Sequence, residues 1–315
     1  MRTAARRRKS RRSVSEARVI DRRRFLQAIA ALAASTKLHA AQRASIGVQF
    51  FTFNRVAAEG WEQFSAAMKT ARDIGYEGIQ FAGLMGHAPD KISKRAEELG
   101  LKLRSMHIGN DQVRAFRAPD GPFTDAQDAV YTPQGIVQLA RVNVPLARDL
   151  GCEVLVQGGT GPANMQSLDN VRRMCDAMNR ANAIVRRAGL RLSFHNHAPE
   201  FREVEGRRPF DVMIENTDAS IRYELDVAWV AGGGADPVAT IDKYWQRVSS
   251  FHLKDLDKAG KAATCGDGVI DFAAIRKAAQ RIESPLLYVE CEGAPTGDPA
   301  REPARALKYL RSIGW

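Results

Sequence analysis

The sequence predicts an α/β fold, a single-domain (β/α)8 barrel, and three observations carry that reading. Short apolar runs alternate with amphipathic stretches about eight times between residue 44 and residue 315. No hairpin signal joins neighbouring runs, as a parallel arrangement requires. No Gly-x-Gly-x-x-Gly follows the first run, which disfavours an open, doubly wound nucleotide-binding sheet.

The strand-like runs are residues 45–52, 78–81, 102–107, 153–157, 191–195, 221–226, 248–253 and 286–290. Each is short and rich in Val, Ile, Leu or Phe, the composition of strands covered on both faces. Residues 61–74 place Trp61, Phe64, Met68 and Ala71 at spacings of three and four, the stripe of a helix lying on a core; residues 168–188 and 272–282 repeat the pattern. Gly75, Gly100, Gly151 and Gly189 each follow a helical stretch, where a left-handed cap turns the chain towards the next strand. Asp211, Asp236 and Asp271 stand near helix starts. The run Gly232-Gly233-Gly234 reads as a flexible loop and not as a phosphate cradle. Residues 109–132, rich in Pro, Gly and Asp, form the longest irregular stretch, expected over the mouth of the barrel.

Composition narrows the function classes. Residues 1–40 carry twelve Lys/Arg against two Asp/Glu, so +10 of the net charge of +11 lies in the leader. The body is almost neutral, which gives little support to a nucleic-acid-binding face, and no nucleic-acid partner is expected. Within the leader, Arg22-Arg23-Arg24-Phe25-Leu26 precedes a short Ala-rich apolar run and is similar to a twin-arginine export signal. The expected partner is the twin-arginine translocation machinery, and the expected location is periplasmic, with no stable membrane anchor in the mature form. Cys152, Cys175, Cys265 and Cys291 form no Cys-x-x-Cys pair and read as structural.

Active sites of such barrels lie at the C-terminal ends of the strands. The third run ends at His107, and the fifth in His195-Asn196-His197 with Glu200 three residues on. The sixth ends in Glu224-Leu225-Asp226, the seventh in His252-Leu253-Lys254-Asp255 and the eighth in Glu290-Cys291-Glu292. Imidazoles and carboxylates crowded on one rim go unpaired or repel unless a cation neutralises them, so one divalent metal is expected. Mixed N/O donors suit Mn, Zn, Co or Mg, and sequence does not choose among them.

The blocks SFHNHAPEF (193–201), YELDVAWV (223–230), FHLKD (251–255), GDGVIDF (266–272) and YVECEG (288–293), in this order, resemble the xylose isomerase-like TIM barrel superfamily. That group holds sugar phosphate isomerases/epimerases, ketose 3-epimerases, inosose dehydratases and endonuclease IV relatives. The resemblance implies a metal held by Asp226, His252 and Glu290 with a fourth ligand from the fifth strand. That fourth position departs from the epimerase pattern: His195 stands where a Glu is usual, and either His195 or Glu200 could ligate, with Glu200 slightly preferred. The resemblance also implies Glu290, Glu200 and His197 as catalytic groups, and His107, His195 and Lys254 as substrate-binding ones. Gln80 ends the second strand where many relatives carry Glu.

The implied activity is that of an isomerase or epimerase abstracting a proton next to the carbonyl of a small-molecule carbohydrate. A dehydratase or lyase of the inosose dehydratase type is the alternative, because those enzymes also carry histidines on the fifth strand. A non-catalytic sugar-binding barrel is the other. Export argues for a free sugar or keto-sugar over a phosphorylated one.

Overall fold

The computed structural model describes residues 44–108, 131–292 and 298–315. The leader and most of the expected mouth loop, residues 109–130, lie outside these. Ala44–Trp315 form one compact unit.

Eight parallel strands build the barrel: β1 (Ile46–Gln49), β2 (Gly78–Gln80), β3 (Ser105–His107), β4 (Val154–Gln157), β5 (Arg191–His195), β6 (Arg222–Asp226), β7 (Val248–Leu253) and β10 (Leu286–Val289). A small antiparallel hairpin, β8 (Asp255–Leu256) with β9 (Ala262–Ala263), follows β7. The hydrogen-bonded order is β2-β1-β10-β7-β6-β5-β4-β3. Parallel bridges Gly78–Lys102 and Phe81–Met106 bring the two ends of that order together, so the ring is nearly closed. All eight strands fall inside the expected runs. Two are shorter than expected by more than one residue. The first stops at Gln49, whose side chain accepts the Phe51 N–H and starts a 3-10 turn over Phe50–Phe53. The third keeps only its last three residues as strand.

Helices Trp61–Ile74, Pro89–Leu99, Pro133–Asp149, Leu168–Arg187, Pro209–Asn216, Pro237–Tyr244, Phe272–Ala279 and Arg301–Ser312 lie between and after the strands. The four glycines expected as left-handed caps all have positive φ. Asp236 and Asp271 cap their helices, whereas Asp211 sits in a first turn and accepts bonds from Lys243 and Tyr244 instead. No helix among the described residues is long and apolar enough to cross a membrane. The four cysteines are buried free thiols.

Alternation along each strand sorts the side chains. On β6, Tyr223 reaches outward to the Thr217 hydroxyl, while Glu224 and Asp226 point into the barrel. The outward set, with Ile79, Phe194, Phe251 and Val289, packs under the helices and forms the apolar core. The inward set is polar. Gln49 Nε2 donates to Gln80 Oε1 (3.0 Å), Gln80 Nε2 to Ser105 Oγ (2.8 Å), and Ser105 Oγ to the Tyr288 hydroxyl (2.9 Å). The Tyr288 ring fills the axis against Gly47, where a Cβ would stand 2.8 Å from it. A barrel filled this way is a hydrogen-bonded platform beneath the rim, and burial of so many dipoles is tolerated because they satisfy one another.

Two loops complete the rim. Asp255 accepts the N–H groups of Leu256, Gly266, Gly268 and Ile270, pinning the turn after β9. The glycine run after β6 is not free loop: a Cβ on Gly233 would meet Ala198 O and Phe201 Cβ at 2.6 Å, so it is a close contact with the 198–201 turn.

Candidate metal centre

Asp226 ends β6 and caps the short helix Val227–Gly232. Its Oδ1 takes the Trp229 N–H at 2.9 Å, and its Oδ2 is buried without a hydrogen-bond partner. The Asn196 side chain, from the turn after β5, holds the Asp226 backbone at both N–H (3.1 Å) and carbonyl (3.3 Å). His252 on β7 places Nδ1 2.9 Å from Glu290 Oε2, just past the end of β10. One ligand atom from each of Asp226, His252 and Glu290 lies within 4.8 Å of the others.

A second group meets these three at His252. Glu224 Oε1 receives His107 Nε2 at 2.7 Å and His252 Nε2 at 3.1 Å. His195 Nδ1 lies 3.3 Å away, but is too poorly aligned to hydrogen-bond. Glu224 Oε2 takes the Gln80 amide at 2.8 Å.

The electrostatics follow from burial and pairing. Burial opposes the charge of Glu224, but the charge of His252 and the N–H groups around the carboxylate outweigh it, holding it well below the usual range. Burial likewise opposes His252, whose carboxylate neighbours Glu224 and Glu290 raise it to about 10, an imidazolium with both nitrogens engaged. His195 goes the other way: burial and the charge of His252 keep it neutral. Burial pushes Asp226 upward despite the opposing pull of Lys254.

Four carboxylates, Glu224, Asp226, Glu290 and Glu292, thus face two cations, Lys254 and the His252 imidazolium. A divalent cation in place of the second His252 proton would hold Asp226 and Glu290 in their ionised forms. The orphaned Asp226 Oδ2 and the carboxylate–imidazole donor set fit such an ion, with Asp226, His252 and Glu290 as its holders.

Glu200 does not join them. Its Oε2 turns back to accept the His197 N–H at 3.0 Å, and burial raises it to about 7. His107 and His195, expected at the substrate, sit on the buried Glu224 platform. His197 and Lys254 remain at the rim, beside Trp229. The Lys254 ammonium lies 4.5 Å over the Trp229 ring and 2.6 Å from Glu292 Oε1. Burial opposes its charge, and Asp226, Glu290 and Glu292 restore it, so Lys254 stays cationic. His197, 5.9 Å from the Trp229 ring, is lowered to about 4 by burial and by Lys254.

Gly159, after β4, makes room for the His197 ring: a Cβ there would stand 2.7 Å from Nδ1, and φ is +102°. Gly159→Ala is therefore expected to displace His197 and to cost about 1–3 kcal/mol. Urea denaturation and the His197 imidazole NMR signals measure the two effects.

Gln49, Ser105, Tyr288, Asn196, Glu292 and Gly159 had no role in the sequence reading. The period-two phase of β1 and β3 would have pointed Gln49 and Ser105 inward. Nothing local marks Asn196 or Gly159, whose roles lie in contacts between strands.

Eight-stranded architecture and a carboxylate–histidine rim define a class, and a family model described as Xylose isomerase-like TIM barrel matches residues 68–313. The chain belongs to that family. Among curated proteins it is similar to an inosose dehydratase of Clostridium perfringens, 25% identical over 246 residues, spanning 70% of this chain and 80% of the relative. An inosose dehydratase of Geobacillus kaustophilus is 24% identical over 257 residues, spanning 71% and 78%. Among solved structures, a sugar phosphate isomerase/epimerase of Parabacteroides distasonis superposes with a TM-score of 0.73 at 23% identity, covering 86% of this chain and all of that one. An L-ribulose 3-epimerase gives 0.64 at 20%, covering 86% and 95%. At these identities the structural likeness speaks to the fold.

Proposed function

We propose that this chain is a metal-dependent enzyme of carbohydrate metabolism that removes the proton next to the carbonyl of a neutral keto-sugar or keto-polyol and eliminates water. The observation that carries it is the convergence of Asp226, His252 and Glu290, with Asp226 Oδ2 buried and unpaired. A divalent cation held there would polarise the substrate carbonyl and acidify the adjacent C–H.

The order of reactions follows from Glu200. Epimerisation needs a proton acceptor on one face of the substrate and a proton donor on the other, roles that two glutamates fill in the sugar epimerases this chain resembles. Here His195 occupies the fifth-strand position and Glu200 points back into its own turn, leaving Glu290 as the rim carboxylate for proton removal. Burial opposes its charge, but in the metal-free chain the His252 N–H and the charge of Lys254 outweigh it, so Glu290 stands ionised at the rim. The C–H electron pair then forms a C=C bond, and the β-hydroxyl departs as water with a proton for which Lys254 is the cationic donor at this rim. The names of the curated relatives support elimination over epimerisation.

Trp229, half-buried beside His197 and Lys254, offers an apolar face to a sugar ring. Lys254 is already paired with Glu292, so a phosphate dianion would meet carboxylates. On this reading the leader carries the folded barrel to the periplasm, where the substrate is a free sugar.

The test is incubation of the manganese-loaded chain with a keto-inositol and a panel of free ketoses in D₂O. Elimination gives a product lighter by one water with a new conjugated ultraviolet absorbance, and deuterium enters its carbon skeleton only where the enol product ketonises. Deuterium with an inverted centre and no absorbance would restore the epimerase reading. Absence of both exchange and new absorbance with every compound would leave a sugar-binding barrel.

A further inference from the structure

Gln80 ends β2 fully buried beneath the rim, and both sides of its amide are engaged. Its Nε2 is 2.8 Å from Glu224 Oε2 and 2.8 Å from Ser105 Oγ. Its Oε1 is 2.6 Å from His252 Nε2 and 3.0 Å from Gln49 Nε2. An ionised carboxylate has no hydrogen to give, so the side of the amide facing Glu224 must be the NH₂. The side facing His252 is then the carbonyl oxygen, which also has none. His252 Nε2 must therefore carry a hydrogen. A second acceptor, Glu224 Oε1 at 3.1 Å, asks the same of that nitrogen. A ring with hydrogen on Nε2 can offer a lone pair only at Nδ1, the nitrogen that faces Glu290.

We propose that Gln80 is a positioning residue: oriented by Glu224, it fixes the hydrogen of His252 on Nε2 and reserves Nδ1 as the metal ligand. This rests on the metal centre read above and goes beyond it. It decides between the two donor groups that share His252. The inner one, with His107, His195 and Glu224, is a proton-bearing cluster, and the outer one, with Asp226 and Glu290, is the metal-holding one. It also gives a reason for an amide at position 80. A carboxylate there would face Glu224 at hydrogen-bond distance with no hydrogen to donate.

Glu224→Gln tests the orientation at the cost of a single atom. If the new NH₂ turns towards Gln80, that amide must flip and present its own NH₂ to His252 Nε2. If it turns the other way, it faces His107 and His252 directly. Either way Nε2 is asked to accept, and the hydrogen is driven to Nδ1. Gln80→Met removes the acceptor while leaving Glu224 in place, a milder change.

The probe is zinc(II) added to the full chain with ¹⁵N-labelled histidine. The chain has six histidines, and the His252 signal is assigned by its absence in His252→Gln. The expected wild-type spectrum shows His252 with a protonated Nε2 and a metal-shifted Nδ1. Competition with a chelator is expected to show zinc affinity falling about 10–100-fold in Glu224→Gln and about 10-fold in Gln80→Met, the scale of outer-shell changes. A purely packing role would lower the melting temperature and leave the Nε2–H signal and zinc affinity unchanged. Should Glu224→Gln fail to fold, the wild-type spectrum and Gln80→Met decide.

Zinc bound through His252 Nε2 with hydrogen on Nδ1 would overturn the proposal and leave the metal centre standing. So would wild-type zinc affinity in both variants. Failure of the wild-type chain to bind zinc, or binding indifferent to Asp226→Asn, would overturn the metal centre and the proposal with it.

Discussion

Asp226→Asn is expected to weaken divalent-metal affinity by more than about 100-fold, because it alters a ligand, and outer-shell changes alone cost about 10–100-fold. Catalysis of α-proton exchange should fall in step. The same substitution is expected to leave the metal-free protein as stable as before or more stable. Asp226 Oδ2 is buried with no partner, and burial pushes the carboxylate towards its neutral form, so the native residue carries a cost that an amide of the same shape relieves. The cap to Trp229 N–H survives, since an amide oxygen accepts as well. A residue kept for structure would lose stability on substitution, whereas one kept for a cation loses only the cation. Chelator competition and thermal denaturation without metal report the two halves. Unchanged affinity, or a collapse of metal-free stability, would each contradict this account.

Glu200→Gln is expected to stabilise the metal-free protein by about 3 kcal/mol at pH 8 and by less than about 1 kcal/mol at pH 5. Burial raises Glu200 from 4.5 to about 7, an effect of about 1.4 kcal/mol per pH unit of displacement. The folded value lies above the unfolded one. The stability contributed by the neutral acid is therefore fully present below pH 4.5 and is lost as pH rises through about 7. Glutamine keeps the neutral shape at every pH, including an acceptor for the His197 N–H. Urea melts of both proteins at the two pH values measure the difference, and a pH-independent gap would refute the buried-acid account. The same variant bears on the fifth-strand ligand. With Glu200 turned into its own turn, metal affinity should be close to wild type. A loss of about 100-fold or more would mean that Glu200 swings round to ligate.

The barrel was legible because its determinants are local and periodic. Runs such as 191–195 and 221–226 are short and apolar, Gly75 and Gly189 supply the left-handed residue that ends a helix, and the stripe on Trp61–Ile74 reports which face is buried. Placement of strand ends on one rim follows from parallel topology, so Asp226, His252, Lys254 and Glu290 could be put in one place by counting strands. Strand boundaries were less legible, as at Gln49, where one side chain capping the next turn ends β1.

Sequence alone thus determined the fold, the rim and the residue types that meet there. Only the tertiary structure decided how they divide. Glu224 and Asp226 share a face two residues apart, yet one is the saturated anchor of a proton-bearing cluster and the other holds an unpaired oxygen. Glu200 and His195 were both candidates in the chain, with Glu200 slightly preferred. The 198–201 turn, wedged against Gly233, aims one at its own backbone, while β5 aims the other at Glu224. The physical reason is that hydrogen-bond direction and desolvation depend on atoms brought from distant strands, such as Gln80 from β2 and Asn196 from the turn after β5. Periodicity fixes which face a side chain takes and says nothing about what it finds there.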